Sequence, residues 1–360
     1  MGAHKRVGIL TSGGDCAGLN AVIRAAVYRA VGTYGWEILG IRQATVGLMQ
    51  RPPEAINLTI DQVSSILTTG GTILGTTNKG DPFAFPMTNG ETRDRSEEII
   101  EGYHLLGLDA LIGIGGDGSL GILRKLAQQG KLNLVGIPKT IDNDVGSTEL
   151  SIGFHTAATI ATEAIDRLHF TAASHSRVMI VEVMGRDAGH IALRAGIAGG
   201  ADVILIPEIP YSLTKICHHL VERQKQGKNY AIVVVAEAVK SETGESVSST
   251  NTLGQTRLGG VGHYLAERIS ACSRAETRVT VLGHVQRGGI PTVTDRVIGS
   301  AFGVAAIDLI AEENYDQMVV WRNREIGSVP IAEAIAHYQA VDPNEILVKT
   351  AHSLGICLGN

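Results

Sequence analysis

The sequence predicts an α/β protein built as two doubly wound lobes with mostly parallel sheets. Three observations carry this. Short apolar runs alternate with helix-period segments through the first 150 residues. A second set of strand-like runs follows after about residue 177. Glycine reaches 44 of 360 residues with only 10 prolines, against a typical glycine share of ~7%, which reads as tight turns and close backbone–ligand approaches. The length accommodates two domains.

In chain order, "RVGILTS" (6–12) reads as a strand, "GLNAVIRAAVYRAV" (18–31) as a helix and "WEILGIR" (36–42) as a strand. "SEEIIEGYHLLGL" (96–108) is helical, "DALIGIGG" (109–116) a strand, "SLGILRKLAQQ" (119–129) a helix starting near Ser119, and "LNLVGIP" (132–138) a strand. "TAATIATEAIDRL" (156–168) is a long helix. Later strands fall at "RVMIVEVMG" (177–185), "ADVILIP" (201–207), "NYAIVVVAEA" (229–238) and "RVTVLGHV" (278–285). The most polar stretch, 240–256, reads as an exposed loop and not a linker, because the sheet periods on either side are alike. The chain is expected to cross back after about 285, giving one lobe of 1–153 plus about 285–335 and another of 154–284 plus about 336–360.

A net charge of −5 without basic runs argues against nucleic acid as a partner. The N-terminus enters a strand without a signal-peptide apolar region, and no apolar run approaches the ~20 residues a bilayer span needs. Cys16, Cys217, Cys272 and Cys357 are far apart with no CxxC pair. That spacing suggests a reduced, cytoplasmic protein without a disulfide framework or a zinc site.

In an open parallel sheet, ligands bind beyond the carboxyl ends of the strands. Three Gly/Asp-rich segments fall there: "TSGGDCAG" (11–18), "GIGGDGS" (113–119) and "PKTIDND" (138–144). The first two lie between a strand and a helix, so successive backbone N–H groups and a helix N-terminus suit a phosphate chain. Neither is a GxxxxGK[ST] loop or a well-placed GxGxxG fingerprint. Asp117 among phosphates calls for a cation, and Mg²⁺ is commonly held by one or two carboxylates plus phosphate oxygens; the plainer reading is that it caps the helix near Ser119. Asp142 is placed to accept a hydroxyl proton, Asp144 to orient it or support the metal, and Lys139 to offset charge on the transferring group. The plainer reading there is a turn in which both aspartates bond only backbone. Later strands also end in polar groups: Arg177 and Arg186 flank one, Arg278 precedes another followed by His284 and Arg287, and Glu237 ends a third. Arginine forks suit phosphate, and Glu237 suits sugar hydroxyls.

Over nearly the whole chain, "GILTSGGDCAGLNAVIR", "GGDGS", "PKTIDND", "EAIDRL", "VEVMGR" and "VLGHVQRGG" resemble the phosphofructokinase A family, which phosphorylates fructose 6-phosphate. The resemblance implies the phosphofructokinase fold, its first lobe binding donor and Mg²⁺ and its second the sugar phosphate. It implies 6-phosphofructokinase activity with ATP and fructose 6-phosphate, and a homotetramer with substrate sites shared between subunits. Gly13, Asn78, Lys79, Gly116, Asp117, Gly118 and Ser119 would meet the donor, with Asp117 on the metal. Thr140, Ile141 and Asp142 would meet the sugar, Asp142 as proton acceptor. Met184, Gly185, Arg186, Glu237, His284, Val285, Gln286 and Arg287 would hold it too, and Arg177 and Arg278 would reach the 6-phosphate from a neighbouring subunit.

The chain departs from the family in three places. ATP users tend to carry Gly after the metal Asp and Gly in "PGTIDND", whereas pyrophosphate users carry Asp and Lys; here Gly118 stands with Lys139. Room beside the α-phosphate at Gly118 favours ATP, with pyrophosphate or ADP as alternative donors. Asn78 replaces an arginine that bridges donor and sugar, so Lys79 or Lys139 is expected to supply that charge. Arg24 matches an effector arginine, but Tyr28, Gln62 and His169 replace others and Asp202 a metal-binding Glu. Kinases with other GGDG loops lack the "TIDND" pair, and a non-catalytic nucleotide-sensing subunit would not need Asp117 and Asp142.

Overall fold

The computed structural model describes residues 4–250 and 256–360, the side chains of 248–250 and 256–258 excepted. It divides into two compact units, Met1–Thr156 with Arg287–Tyr338, and Ala157–Gln286 with Gln339–Asn360. In chain order the main strands are β1 (Arg6–Thr11), β2 (Glu37–Ile41), β3 (Ala55–Asn57), β4 (Ala110–Gly115), β5 (Leu134–Thr140) and β6 (Ile152–Gly153). They continue as β7 (Val178–Val183), β8 (Val203–Leu205), β9 (Ala231–Ala236), β10 (Thr277–Val281), β11 (Gln317–Arg322) and β12 (Glu325–Pro330). The longer helices are α1 (Leu19–Arg29), α2 (Ser96–Leu105), α3 (Asp117–Gly130), α4 (Phe154–His175), α5 (His190–Ala198), α6 (Leu213–Lys225), α7 (Val261–Ser273), α8 (Val293–Ala311) and α9 (Ile346–Ser353).

In the first unit the sheet runs β12-β11-β5-β4-β1-β2-β3, with β6 on β5. All pairs are parallel except β2–β3 and β11–β12. β4 ("ALIGIG") is buried along its whole length, as a central parallel strand covered on both faces must be. Leu120, Leu123 and Leu126 turn one face of α3 into the core with Leu134, Met318 and Ile331. Strand β1 has β2 on one side and the later β4 on the other, so the order reverses between β1 and β4. That is the switch point where loops diverge and leave a crevice. The two glycine-rich segments follow these two strands.

The second unit holds a four-stranded parallel sheet, β8-β9-β7-β10. The C-terminal segment joins its edge: Cys357 bridges Val203 in parallel, with Cys357 N–H donating to Asp202 O and Ile204 N–H to Cys357 O, both at 3.0 Å. An otherwise open edge is thereby covered.

Two expectations need correction. The polar stretch 240–256 is not all irregular, because Ser248–Thr250 pairs antiparallel with Thr256–Leu258; residues 251–255 lie outside the described residues. Cys217 and Cys272 form a disulfide with Cα atoms 5.9 Å apart. They are 55 residues apart in sequence, but α6 and α7 bring them together, which spacing alone does not reveal. Cys16 is a free, buried thiol and Cys357 a free, half-buried one. Among the described residues no helix is long and apolar enough to cross a membrane.

Candidate active site

β1 hands the chain to the first glycine loop while pairing continues one residue further, Ser12 N–H donating to Ile114 O at 2.9 Å. Gly13 then takes φ +84°, a left-handed conformation that favours glycine. Its N–H donates to Thr77 O (2.9 Å), and Thr76 Oγ1 donates to its carbonyl (2.7 Å). A Cβ on Gly13 would lie 3.1 Å from Ser119 Oγ and 3.2 Å from Lys139 Nζ. The first loop, the start of α3 and the end of β5 therefore converge on one place.

Helix α3 starts two residues before the sequence indicates. Gly116 is its N-cap, so Asp117, Gly118 and Ser119 form the first turn. The reading of Asp117 as the capping residue is set aside by that geometry. An acid in a first turn is favoured by the helix dipole, and N–H groups at a helix N-terminus attract phosphate. Asp117 fits Mg²⁺ as one protein carboxylate completed by donor phosphate oxygens. Among the described residues no group of three or more His, Cys, Asp or Glu could hold a metal ion.

β5 runs further than its apolar core suggests, and Lys139 and Thr140 are its last two residues. Lys139 is 4% exposed and donates from Nζ to Gly14 O at 2.6 Å. Burial holds its pKa below the ordinary lysine value; Arg287 adds to that, whereas Asp142 and Asp15 oppose it. Thr140 Oγ1 donates to Asp142 Oδ2 (3.2 Å) and accepts from Asp142 N–H (3.1 Å). Asp142 and Asp144 are both buried. Asn143, with φ 55°, ties the turn: its amide donates to Glu149 O (3.1 Å), and its Oδ1 accepts from Ser151 N–H (2.9 Å) and Oγ (3.0 Å). Two buried carboxylates in one turn, with Asp142 acting on the buried Lys139 ammonium, are costly to assemble and not needed for a turn that Asn143 already closes.

Arg287, grouped by sequence with the sugar residues, lies in the first unit against the first loop. Its Nη1 donates to Asp15 O at 3.2 Å. A Cβ on Gly14 would sit 2.6 Å from that same nitrogen. Asn78 and Lys79 are exposed. Of the two lysines expected to replace the missing arginine, Lys139 is the one held at the phosphate loop. Lys139→Met is expected to lower kcat at least about tenfold and Lys79→Met less than about threefold. Steady-state kinetics on the two variants check this, and kcat intact in both rejects it.

In the second unit, Met184, Gly185 and Arg186 follow β7, and Glu237 follows β9, at the carboxyl ends. Glu237 Oε1 accepts from Gly185 N–H (3.3 Å) and Arg186 N–H (3.0 Å). Arg186 has φ 53°. A 3₁₀ turn, Gly283–Arg287, follows β10, with His284 and Val285 exposed and Gln286 buried. Arg177 and Arg278 stand at the amino ends of β7 and β10, the opposite edge of this sheet. Both pair with Glu276, Arg177 Nε at 2.8 Å. The four arginines thus do not share a placement: two are at amino ends, one at a carboxyl end, and Arg287 belongs to the first unit. A residue before a parallel strand and one after it lie on opposite edges.

The effector-position residues are engaged locally. Arg24 stacks on the Tyr28 ring at 4.3 Å. Gln62 closes a capping box with Thr59. His169 Nε2 meets Gly199 O at 2.6 Å. Asp202 pairs with Arg223 and accepts from Ile232 N–H (2.9 Å). Cys16, inside the first loop, is fully buried, its Sγ 3.3 Å from Ile152 O, and burial pushes its pKa up to about 12. It fills a gap and is a poor nucleophile. Sequence reasoning missed Thr76 and Thr77; the Gly-Thr alternation of "GGTILGTTN" was the available signal.

The phosphofructokinase family model matches residues 6–310. The chain is 68% identical to "ATP-dependent 6-phosphofructokinase 1" of Nostoc sp. over 359 residues and 66% identical to the protein of that name from Synechocystis sp. over 360, in each case spanning the full length of both chains. Among solved structures, it superposes on Pichia pastoris phosphofructokinase in the T-state with a TM-score of 0.79 and 31% identity, covering 98% of this chain but 39% of that one. A pyrophosphate-dependent phosphofructokinase from Marinobacter aquaeolei gives a TM-score of 0.81 at 22% identity, covering 98% of this chain and 88% of that one; this is a likeness of fold alone. With a family model matched over most of its residues and relatives this similar from end to end, the chain belongs to the phosphofructokinase family.

Proposed function

We propose that this chain is an ATP-dependent 6-phosphofructokinase, transferring the γ-phosphoryl of ATP to the 1-hydroxyl of fructose 6-phosphate to give fructose 1,6-bisphosphate. The convergence of Gly13, Ser119 and Lys139 supports it most directly. Gly118 supports a nucleotide as donor: a Cβ there would meet nothing within 4 Å, so the first turn of α3 leaves space beside the phosphates. The two relatives with the highest identities quoted above both carry ATP in their names.

In this reading the N–H groups of Gly13 and Gly116–Ser119 bind donor phosphates, while Asn78 and Lys79 border them. Lys139 offsets charge on the transferring group, and Asp142 accepts the sugar hydroxyl proton with Asp144 orienting it. A divalent metal, which we assign as Mg²⁺ on Asp117, would neutralise phosphate charge when bound. Thr140 and Ile141 border the sugar. Met184, Gly185, Arg186, Glu237, His284, Val285, Gln286 and Arg287 are assigned to it as well. Arg177 and Arg278 are assigned to the 6-phosphate of a neighbouring subunit in a homotetramer, and the enzyme to the cytoplasm.

A coupled assay with fructose 6-phosphate and ATP, ADP or pyrophosphate in turn tests this. ATP is expected to support turnover, with pyrophosphate below about a hundredth of that rate. Equal or faster turnover with pyrophosphate overturns the donor, and no turnover with any of the three overturns the activity.

A further inference from the structure

Asp295, in the first turn of α8, is 1% exposed and plays no part in the roles assigned above. Its Oδ1 accepts from Gly153 N–H at 2.9 Å. Its Oδ2 accepts from Thr156 N–H at 2.7 Å and from Thr156 Oγ1 at 2.5 Å. These donors belong to the end of β6 and the first turn of α4. A carboxylate on one helix thus caps the N-terminus of another, where the dipole favours negative charge. Thr292, the N-cap of α8, serves Asp295's own helix by accepting from Asp295 N–H, and its hydroxyl makes a long contact of 3.4 Å with Oδ2, so the short bonds of the carboxylate go to the other helix.

What rests on that corner is the catalytic edge. β6 pairs in parallel with the last two residues of β5, Lys139 with Ile152 and Thr140 with Gly153. Ser151, just before β6, donates from Oγ to Thr140 O at 2.8 Å. The first glycine loop leans on the same place: a Cβ on Gly18 would lie 3.2 Å from Asp295 Cβ, and one on Gly153 would lie 2.5 Å from Cys16 Sγ. A buried carboxylate held by three short N–H and O–H bonds and a longer fourth is stiff, because any displacement leaves charge unpaired in a low-dielectric interior.

We propose that Asp295 is a positioning residue for phosphoryl transfer: it fixes the β6–α4 corner and, through it, the end of β5 that aims Asp142 at the sugar hydroxyl. The inference rests on Asp142 as proton acceptor. In Asp295→Asn the new amide can turn only one oxygen to these donors, and its NH₂ faces an N–H or O–H. The corner shifts, and a misplacement on the order of 1 Å at a reacting group costs roughly 10²-fold.

The test is a double-mutant cycle with Asp142→Asn, read in kcat, KM and thermal stability. Asp295→Asn in the otherwise native enzyme is expected to lower kcat about 10–100-fold with KM for fructose 6-phosphate within about threefold. In the Asp142→Asn background the same change is expected to cost less than about threefold, because the group it aims is gone. An equal loss in both backgrounds, or lost stability with kcat intact, overturns the proposal. If Asp142→Asn alone keeps its activity, the proton-acceptor reading fails first, in a variant that leaves Asp295 untouched. Should Asp295→Asn not fold, Thr156→Val, which removes one donor to the same carboxylate, carries the same cycle.

Discussion

Asp142→Asn is expected to lower kcat by about 10²–10⁴ while KM for ATP changes little. The carboxylate is 6% exposed, next to a turn whose closure depends on Asn143 and Ser151. An amide of the same shape keeps the backbone bond from Asp142 N–H to Thr140 Oγ1 and can still accept from that hydroxyl. The fold therefore survives, and what is removed is basicity. Buried basicity has a use here only if a proton must leave an attacking hydroxyl, since phosphoryl transfer otherwise relies on positioning and charge. Single-turnover rates with ATP and fructose 6-phosphate, alongside thermal unfolding, make the measurement. A kcat within about threefold of the native enzyme would leave Asp142 without its assigned role.

The strands around the switch point are legible because each is a short apolar run, and the glycine-rich loops that follow β1 and β4 can be placed from sequence alone. Lys139 was legible as an anomaly, a cation directly after a buried run. That it remains inside β5 was not, because hydrophobicity ends at Pro138 while pairing with β6 carries the strand to Thr140. Asp295 was invisible for a different reason. Its sequence neighbourhood shows an ordinary first-turn acid, and the donors it serves are about 140 residues away. Glu182 is a similar case: a buried carboxylate in the apolar strand β7 that accepts from Gly260 N–H (3.0 Å) and Gly262 N–H (2.8 Å) at the start of α7. Local pattern reports a residue's own element, whereas these carboxylates act on someone else's helix end. The Cys217–Cys272 pair escaped for the same reason. Arg177 and Arg278 precede their strands and Arg186 follows one, so parallel strands send them to opposite edges, which their common arginine chemistry does not show.

Gly118→Asp is expected to raise KM for ATP at least about tenfold with no loss of thermal stability. The two halves of that expectation have separate physical sources. A Cβ at Gly118 would meet nothing within 4 Å, and its backbone is not left-handed, so a side chain enters without strain. An acid in the first turn of α3 is favourable to the helix by roughly 0.3–1 kcal/mol. For the donor the same carboxylate is hostile. It fills the space beside the phosphates and adds a second negative charge next to Asp117. Like charges ~4 Å apart repel by up to about 4 kcal/mol at a surface-like dielectric, and a third to a half of that is enough for a tenfold loss. Gly118→Ala separates bulk from charge: a methyl alone should change KM for ATP less than about threefold. With Lys139 retained, Gly118→Asp also completes the pair carried by pyrophosphate users, so the ratio of pyrophosphate to ATP turnover is expected to rise. Unchanged ATP kinetics in the aspartate variant would reject the account of Gly118 as donor space. A fall in melting temperature would instead show that the turn is not open as drawn, because an acid tolerated by the helix and repelled by the nucleotide is the only combination this geometry predicts.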